Sequence, residues 1–120
     1  GLDAGTMLVL TSRVDTPNGM RHIPMADFKI NATPRNHDSA LAAARRLGSG
    51  HLLVSGSSYH YYGDVLRDDS ELRDWLLRAQ LLSRYVDTRW VTHQLLEGRC
   101  ALRVSPGGGR HAAPFVLGDV

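Results

Sequence analysis

Hydrophobic and polar positions divide the 120-residue chain into short strand-like runs and two helical ones. Residues 6–14 are rich in strand formers and apolar on both faces at their start, which predicts a central strand. Thr16, Pro17, Asn18 and Gly19 form a turn signal, and residues 20–30 read as the partner strand. Pro24 has no N–H to donate, so it belongs at an edge or a bulge. Alternation along this strand sets Ile23, Met25, Asp27 and Lys29 on one face and Ala26, Phe28 and Ile30 on the other. A loop follows over residues 31–36, where Pro34 stops any helix, and Asp38 or Ser39 caps a helix over residues 40–47 that ends at Gly48, Ser49 and Gly50.

The second half opens on an apolar run, residues 51–54, that reads as a buried strand. A turn of small residues leads into an alternating strand over residues 58–63, with Ser58, His60 and Tyr62 on one face and Tyr59 and Tyr61 on the other. A hydroxyl and an imidazole two residues apart beside a glycine-bearing turn make a small polar platform suited to phosphate or sugar oxygens. Asp68, Asp69 or Ser70 caps the clearest helix, residues 71–83, whose apolar face is Leu72, Trp75, Leu76, Ala79 and Leu82. Residues 85–96 are ambiguous and read as a short strand ending at Asp87, then a helical turn capped there. Residues 99–104 form another strand, residues 105–111 a glycine loop with cationic ends, and residues 114–117 one more strand. The order is ββ-α-ββ-α-(β), joined by hairpins rather than crossovers. It predicts a single α+β domain over residues 1–120, an antiparallel sheet with helices on one face.

Composition changes this picture little. No run of about 18 apolar residues exists to span a membrane. The first residues lack a secretory signal, and one cysteine, Cys100, provides neither a disulfide nor a metal cluster, so the expectation is an intracellular, cytoplasmic protein. Of the 14 basic residues only Lys29 is a lysine. Arginine suits phosphate recognition, but a net charge of +2 does not by itself argue for nucleic acid.

Three motifs then line up in order. Asp27 follows Ile23-Pro24-Met25-Ala26 on one strand, Ser58-Tyr59-His60 lies on a second, and Val86-Asp87-Thr88 precedes the strand that carries Arg99 and Arg103. This pattern resembles the catalytic core of the archaeo-eukaryotic primase superfamily, with its acidic motif, Ser-x-His motif and hydrophobic-Asp motif before an arginine-bearing strand. The segment from Asp87-Thr88-Arg89-Trp90-Val91-Thr92 to Arg99-Cys100-Ala101-Leu102-Arg103-Val104-Ser105-Pro106 is the closest match, and His111 fills the place of a histidine at the end of the following loop.

The resemblance implies an RRM-like primase core, the core of a longer protein or one that works with further domains or a partner protein. It implies nucleotidyl transfer, with Asp27 and Asp87 as catalytic carboxylates holding Mg²⁺ or Mn²⁺. Ser58 and His60 would meet the phosphates of a nucleoside triphosphate, and Lys29, Arg99, Arg103 and His111 would neutralise charge beside a DNA or RNA strand. One departure stands out. The family's first motif carries two acids spaced by one residue, whereas this chain reads Asp27-Phe28-Lys29. Either one metal serves, with Lys29 on a phosphate, or the chain binds nucleotides or nucleic acid without polymerising them.

Two other readings stay open. One is a non-catalytic module for single-stranded nucleic acid, with Tyr59, Tyr61 and Trp90 stacking on bases. The other is a structural oligomerisation domain using Trp75 and Trp90 as a partner surface.

Overall fold

The structure is a computed structural model and describes residues 8–104 and 115–120. Its elements run β1 (Leu8–Thr11), β2 (Arg13–Thr16), β3 (Gly19–His22), β4 (Met25–Asp27), α1 (Pro34–Leu47), β5 (Gly50–Ser55), β6 (Ser58–Gly63), α2 (Asp69–Ala79), a 3-10 turn (Gln80–Leu82), α3 (Thr88–Glu97), β7 (Ala101–Val104) and β8 (Phe115–Asp119). All strand pairing is antiparallel, which makes the expected α+β class the observed one.

The sheet is not continuous, however. Four strands in the order β4-β6-β5-β8 form the main sheet, while β2-β3 and β1-β7 are separate pairs. The expected first hairpin is therefore split twice. Ser12 interrupts the first strand and Pro24 the second, so β1 leaves to pair with β7, β2 pairs with β3 around the predicted turn, and β4 joins the main sheet. Pro24 thus marks a change of sheet, in keeping with its missing donor.

The first helix also begins earlier than its acidic cap candidates suggest. It starts at Pro34 behind Thr33. Proline at the first helical position loses nothing, because that N–H would have no partner inside the helix.

Small residues on α1 let the helix lie close to the sheet. Ala40, Ala43, Ala44 and Leu47 are buried against the face that carries Leu52, Val54, Tyr59 and Tyr61. Tyr61 stacks on Trp75 of α2 with ring centroids 5.9 Å apart, and the Trp75 indole N–H donates to the Leu47 carbonyl at 2.8 Å. Both α1 and α2 therefore cover one face of the main sheet. A capping box, Asp68 with Glu71, starts α2, and the Asp87 carboxylate caps α3. Cys100 is a packing residue; burial pushes its thiol up to about 12.

The edge strand β8 is tied down by charge as well as by pairing. His51 Nδ1 lies 2.7 Å from Asp119 and Nε2 lies 3.2 Å from Asp64. The hydrogen bond to Asp119 is the main cause that raises the His51 pKa above its ordinary value; desolvation opposes it, and the Asp64 and Asp119 charges add to it. A raised folded-state pKa contributes stability that is complete below the unfolded value and lost as pH rises through the folded one. The melting temperature is accordingly expected to fall as pH rises above about 6.5, and to fall less in an Asp119→Ala chain. Parallel pH profiles for the two chains would dismiss the clamp.

Candidate functional site

The site is built on the face of the main sheet opposite α1 and α2, where the start of α3 reaches the β4 edge. In the β4–β6 ladder, Met25 lies opposite Tyr62, Ala26 opposite Tyr61 and Asp27 opposite His60. Directly opposed residues share a face, so Asp27, His60 and Tyr62 point away from α1 while Tyr59 and Tyr61 point into the core. The expected alternation holds at every one of these positions.

Asp27 Oδ1 and His60 Nε2 are 3.4 Å apart. That is an ion pair when the imidazole is protonated, but it is longer than a well-formed hydrogen bond. The His60 side chain keeps only 11% of its surface exposed, so the imidazole is nearly buried, whereas Asp27 keeps 29% and is partly open. The Tyr62 ring stands edge-on to His60 at 6.4 Å. Burial raises the Tyr62 phenol pKa, and the Asp27 charge raises it further. Tyr62 thus joins the acid and the imidazole as a third member. Its i+2 spacing from His60 was the signal that could have nominated it.

Asp87 reaches the same place from a different part of the chain. Its N–H donates to the Asp27 carbonyl at 2.8 Å, the Lys29 N–H donates to the Tyr85 carbonyl at 2.8 Å, and Phe28 bridges Val86. Side by side, the two aspartates use their carboxylates differently. Asp87 Oδ1 accepts from the Trp90 N–H at 3.1 Å as the cap of α3. Lys29 is exposed and lies just past the end of β4, one residue beyond the Phe28–Val86 bridge.

The other expected site residues are not drawn in. The Ser58 hydroxyl lies 2.6 Å from the Phe28 carbonyl and 2.9 Å from that of Ile30, so its single proton serves backbone. It secures the strand end from which Lys29 projects. Arg99 and Arg103 flank or sit on β7, in the separate β1-β7 pair, and among the described residues no ion pair or hydrogen bond joins them to Asp27, His60 or Asp87. His111 and the glycine loop lie outside the described residues.

The resemblance asks for divalent ions between carboxylates, and the donors present do not fit a pair of them. One Asp87 oxygen is engaged in its helix, and Lys29 stands where the family has a second acid. Among the described residues no three His, Cys, Asp or Glu side chains are placed to hold a metal ion. At the ~7 Å spacing of alternate strand residues, an ammonium repels a divalent cation by roughly 1 to 5 kcal/mol, depending on the effective dielectric.

A second polar constellation escaped the sequence altogether. Ser12 Oγ lies 2.7 Å from His22 Nδ1, and His22 Nε2 lies 2.7 Å from Asp69 Oδ1. The residue types are those of a nucleophilic triad, but Ser12 and His22 are both 0% exposed, so no substrate carbonyl could reach the hydroxyl. The hydroxyl instead accepts from the Cys100 N–H at 3.0 Å. This is a structural knot, made by residues 12, 22, 69 and 100, whose distances in sequence hid it.

Fold and site together define a class: an antiparallel α+β domain that pairs an acid and an imidazole on the face of its main sheet opposite α1 and α2. The family model described as archaeo-eukaryotic primase 1D-like matches residues 1–113, and the chain belongs to that family. It is a primase-like domain, of a family associated with nucleotidyl transfer and replication. Comparisons with curated proteins and with solved structures gave no match. Among the described residues no helix is long and apolar enough to cross a membrane.

Proposed function

We propose that the Asp27–His60 surface binds the phosphates of a nucleoside triphosphate beside a nucleic-acid strand, and that the chain handles nucleotides without polymerising them. The observation that carries this reading is the 3.4 Å approach of Asp27 to His60 with the lysine two residues on. The imidazole and the Lys29 ammonium offer donors to phosphate oxygens, and the Asp27 carboxylate orients the ring. The same lysine that welcomes a phosphate opposes a metal pair, which is why binding is favoured over transfer.

The rival readings have less support. Tyr59 and Tyr61 are buried, and the Trp90 indole donates to the Ala101 carbonyl at 3.1 Å, so these rings are occupied in the fold rather than offered to bases. Trp75 is likewise buried under α1 and cannot cover a partner.

Calorimetry with a nucleoside triphosphate, with and without Mn²⁺, tests the proposal, alongside a primer-extension assay. Binding is expected in the wild-type chain, weakened about tenfold or more in His60→Ala and in Lys29→Glu, with no extension product. Absence of heat in the wild type under both conditions would remove the nucleotide site. Templated extension by the wild type would restore catalysis.

A further inference from the structure

On the opposite, helix-covered side of the main sheet, a cleft of about 450 Å³ opens between the end of α1, the segment before α2 and the body of α2. Leu47, Trp75 and Leu82 are among its apolar lining, and Arg46, Arg67 and Arg78 bring three guanidiniums to it. Glu71 and Asp74 also line it, but the Glu71 carboxylate accepts from the Asp68 N–H at 3.0 Å as part of the helix cap. Among the described residues every ion pair involves a histidine, so none of the three arginines is matched by a carboxylate.

Arg67 is the most telling of the three. Its backbone is fixed by reciprocal hydrogen bonds with His22, at 2.7 and 2.9 Å, so the side chain leaves from a set position. Its Nε is buried and has no hydrogen-bond partner. A buried charged donor without an acceptor is unfavourable, and an anion entering the cleft would relieve it. The cleft is also firmly built, since Trp75 is held by the Leu47 carbonyl and by stacking on Tyr61.

We propose that this cleft is a phosphate-binding site, separate from the Asp27–His60 surface. Forked guanidiniums on three sides match the several oxygens of a phosphoryl group better than they match a single carboxylate. The phosphate belongs to a nucleotide or to the backbone of a nucleic-acid strand that passes behind the sheet.

The two tryptophans provide the test. Trp75 lines the cleft and Trp90 does not, so their indole N–H resonances act as probe and control in a ¹⁵N-labelled chain titrated with inorganic pyrophosphate. The Trp75 signal is expected to move and the Trp90 signal to stay. The double variant R46Q/R78Q alters exposed residues and is expected to weaken the response about tenfold or more. Asp27→Ala should leave it unchanged, which separates this site from the one on the other face. Titration with a short oligothymidylate and with a nucleoside triphosphate then assigns the phosphate to whichever binds tighter at Trp75. A still Trp75 signal, equal movement of both indoles, or a full response in the double variant would overturn the proposal.

Discussion

Gly50→Ala is expected to destabilise the fold by about 3 kcal/mol and to lower its melting temperature by about 12 °C. Gly50 opens β5 directly opposite Gly63 of β6. A methyl group there would fall on the Tyr62 carbonyl oxygen, far inside van der Waals contact, and would also lie 2.9 Å from the Gly63 Cα. Both obstacles are backbone, so no rotamer change clears them. Relief requires β5 to move off β6, yet Gly50 is also held from the other side, exchanging hydrogen bonds of 3.2 and 2.9 Å with Val120. Gly56→Ala is the control. Its φ of 61° strains an L residue, but nothing lies within 4 Å of the added atom, so only the conformational penalty of about 1 kcal/mol remains. Urea denaturation of the two variants separates close packing from backbone conformation. Equal small losses would mean that the β5–β6 end is looser than its geometry.

The same strand pair shows what a single sequence can disclose. Period-2 alternation assigned Ser58, His60 and Tyr62 to one face of their strand and Tyr59 and Tyr61 to the other, because a strand's side chains have no third option; that Asp27 shares the His60 face needed the β4–β6 register. The helical spacing of Leu72, Trp75, Leu76 and Ala79 identified the buried stripe of α2 in the same way. Asp87 was legible as a cap or strand end, and it proves to be the cap.

What stayed hidden depends on pairings between distant segments. Nothing local tells that residues 8–11 leave their hairpin for a strand at residues 101–104. The interruption at Ser12 looks polar and unremarkable until Cys100 and His22 are brought to it. The Pro34 start of α1 is ambiguous in sequence, since proline serves equally as a stop and as a first helical residue. At the site, Asp27 and His60 face each other across the β4–β6 ladder, and Asp87 joins Asp27 through its backbone N–H. Order along the chain did not foretell that Asp87 would spend an oxygen on Trp90, or that Ser58 would turn to the Phe28 and Ile30 carbonyls.

The buried knot that the sequence concealed leads to the other large effect. Ser12→Ala is expected to cost about 3 kcal/mol. The Ser12 hydroxyl receives the Cys100 N–H and meets His22 Nδ1, so its loss strands two polar groups where no water enters. The Ser12 backbone ties the same segments again, accepting from the Ile23 N–H at 2.8 Å and donating to the Cys100 carbonyl at 2.9 Å. His22→Ala should cost about as much, adding a cavity to the orphaned hydroxyl. Asp69→Ala should cost less than about 1 kcal/mol, because that carboxylate is 77% exposed and water can replace it at the imidazole edge. The double variant Ser12→Ala with His22→Leu is expected to lose less than the sum of its parts, since removing both partners leaves fewer groups unpaired. Because Ile23 leads through Pro24 into β4, loosening this knot should also shift Asp27 against His60. Nucleotide binding should therefore weaken in Ser12→Ala even at temperatures where the chain is folded. Denaturation curves with matched calorimetry decide the matter. A ranking in which Asp69→Ala equals Ser12→Ala would place the stabilisation at the exposed end of the chain of contacts rather than in its buried centre.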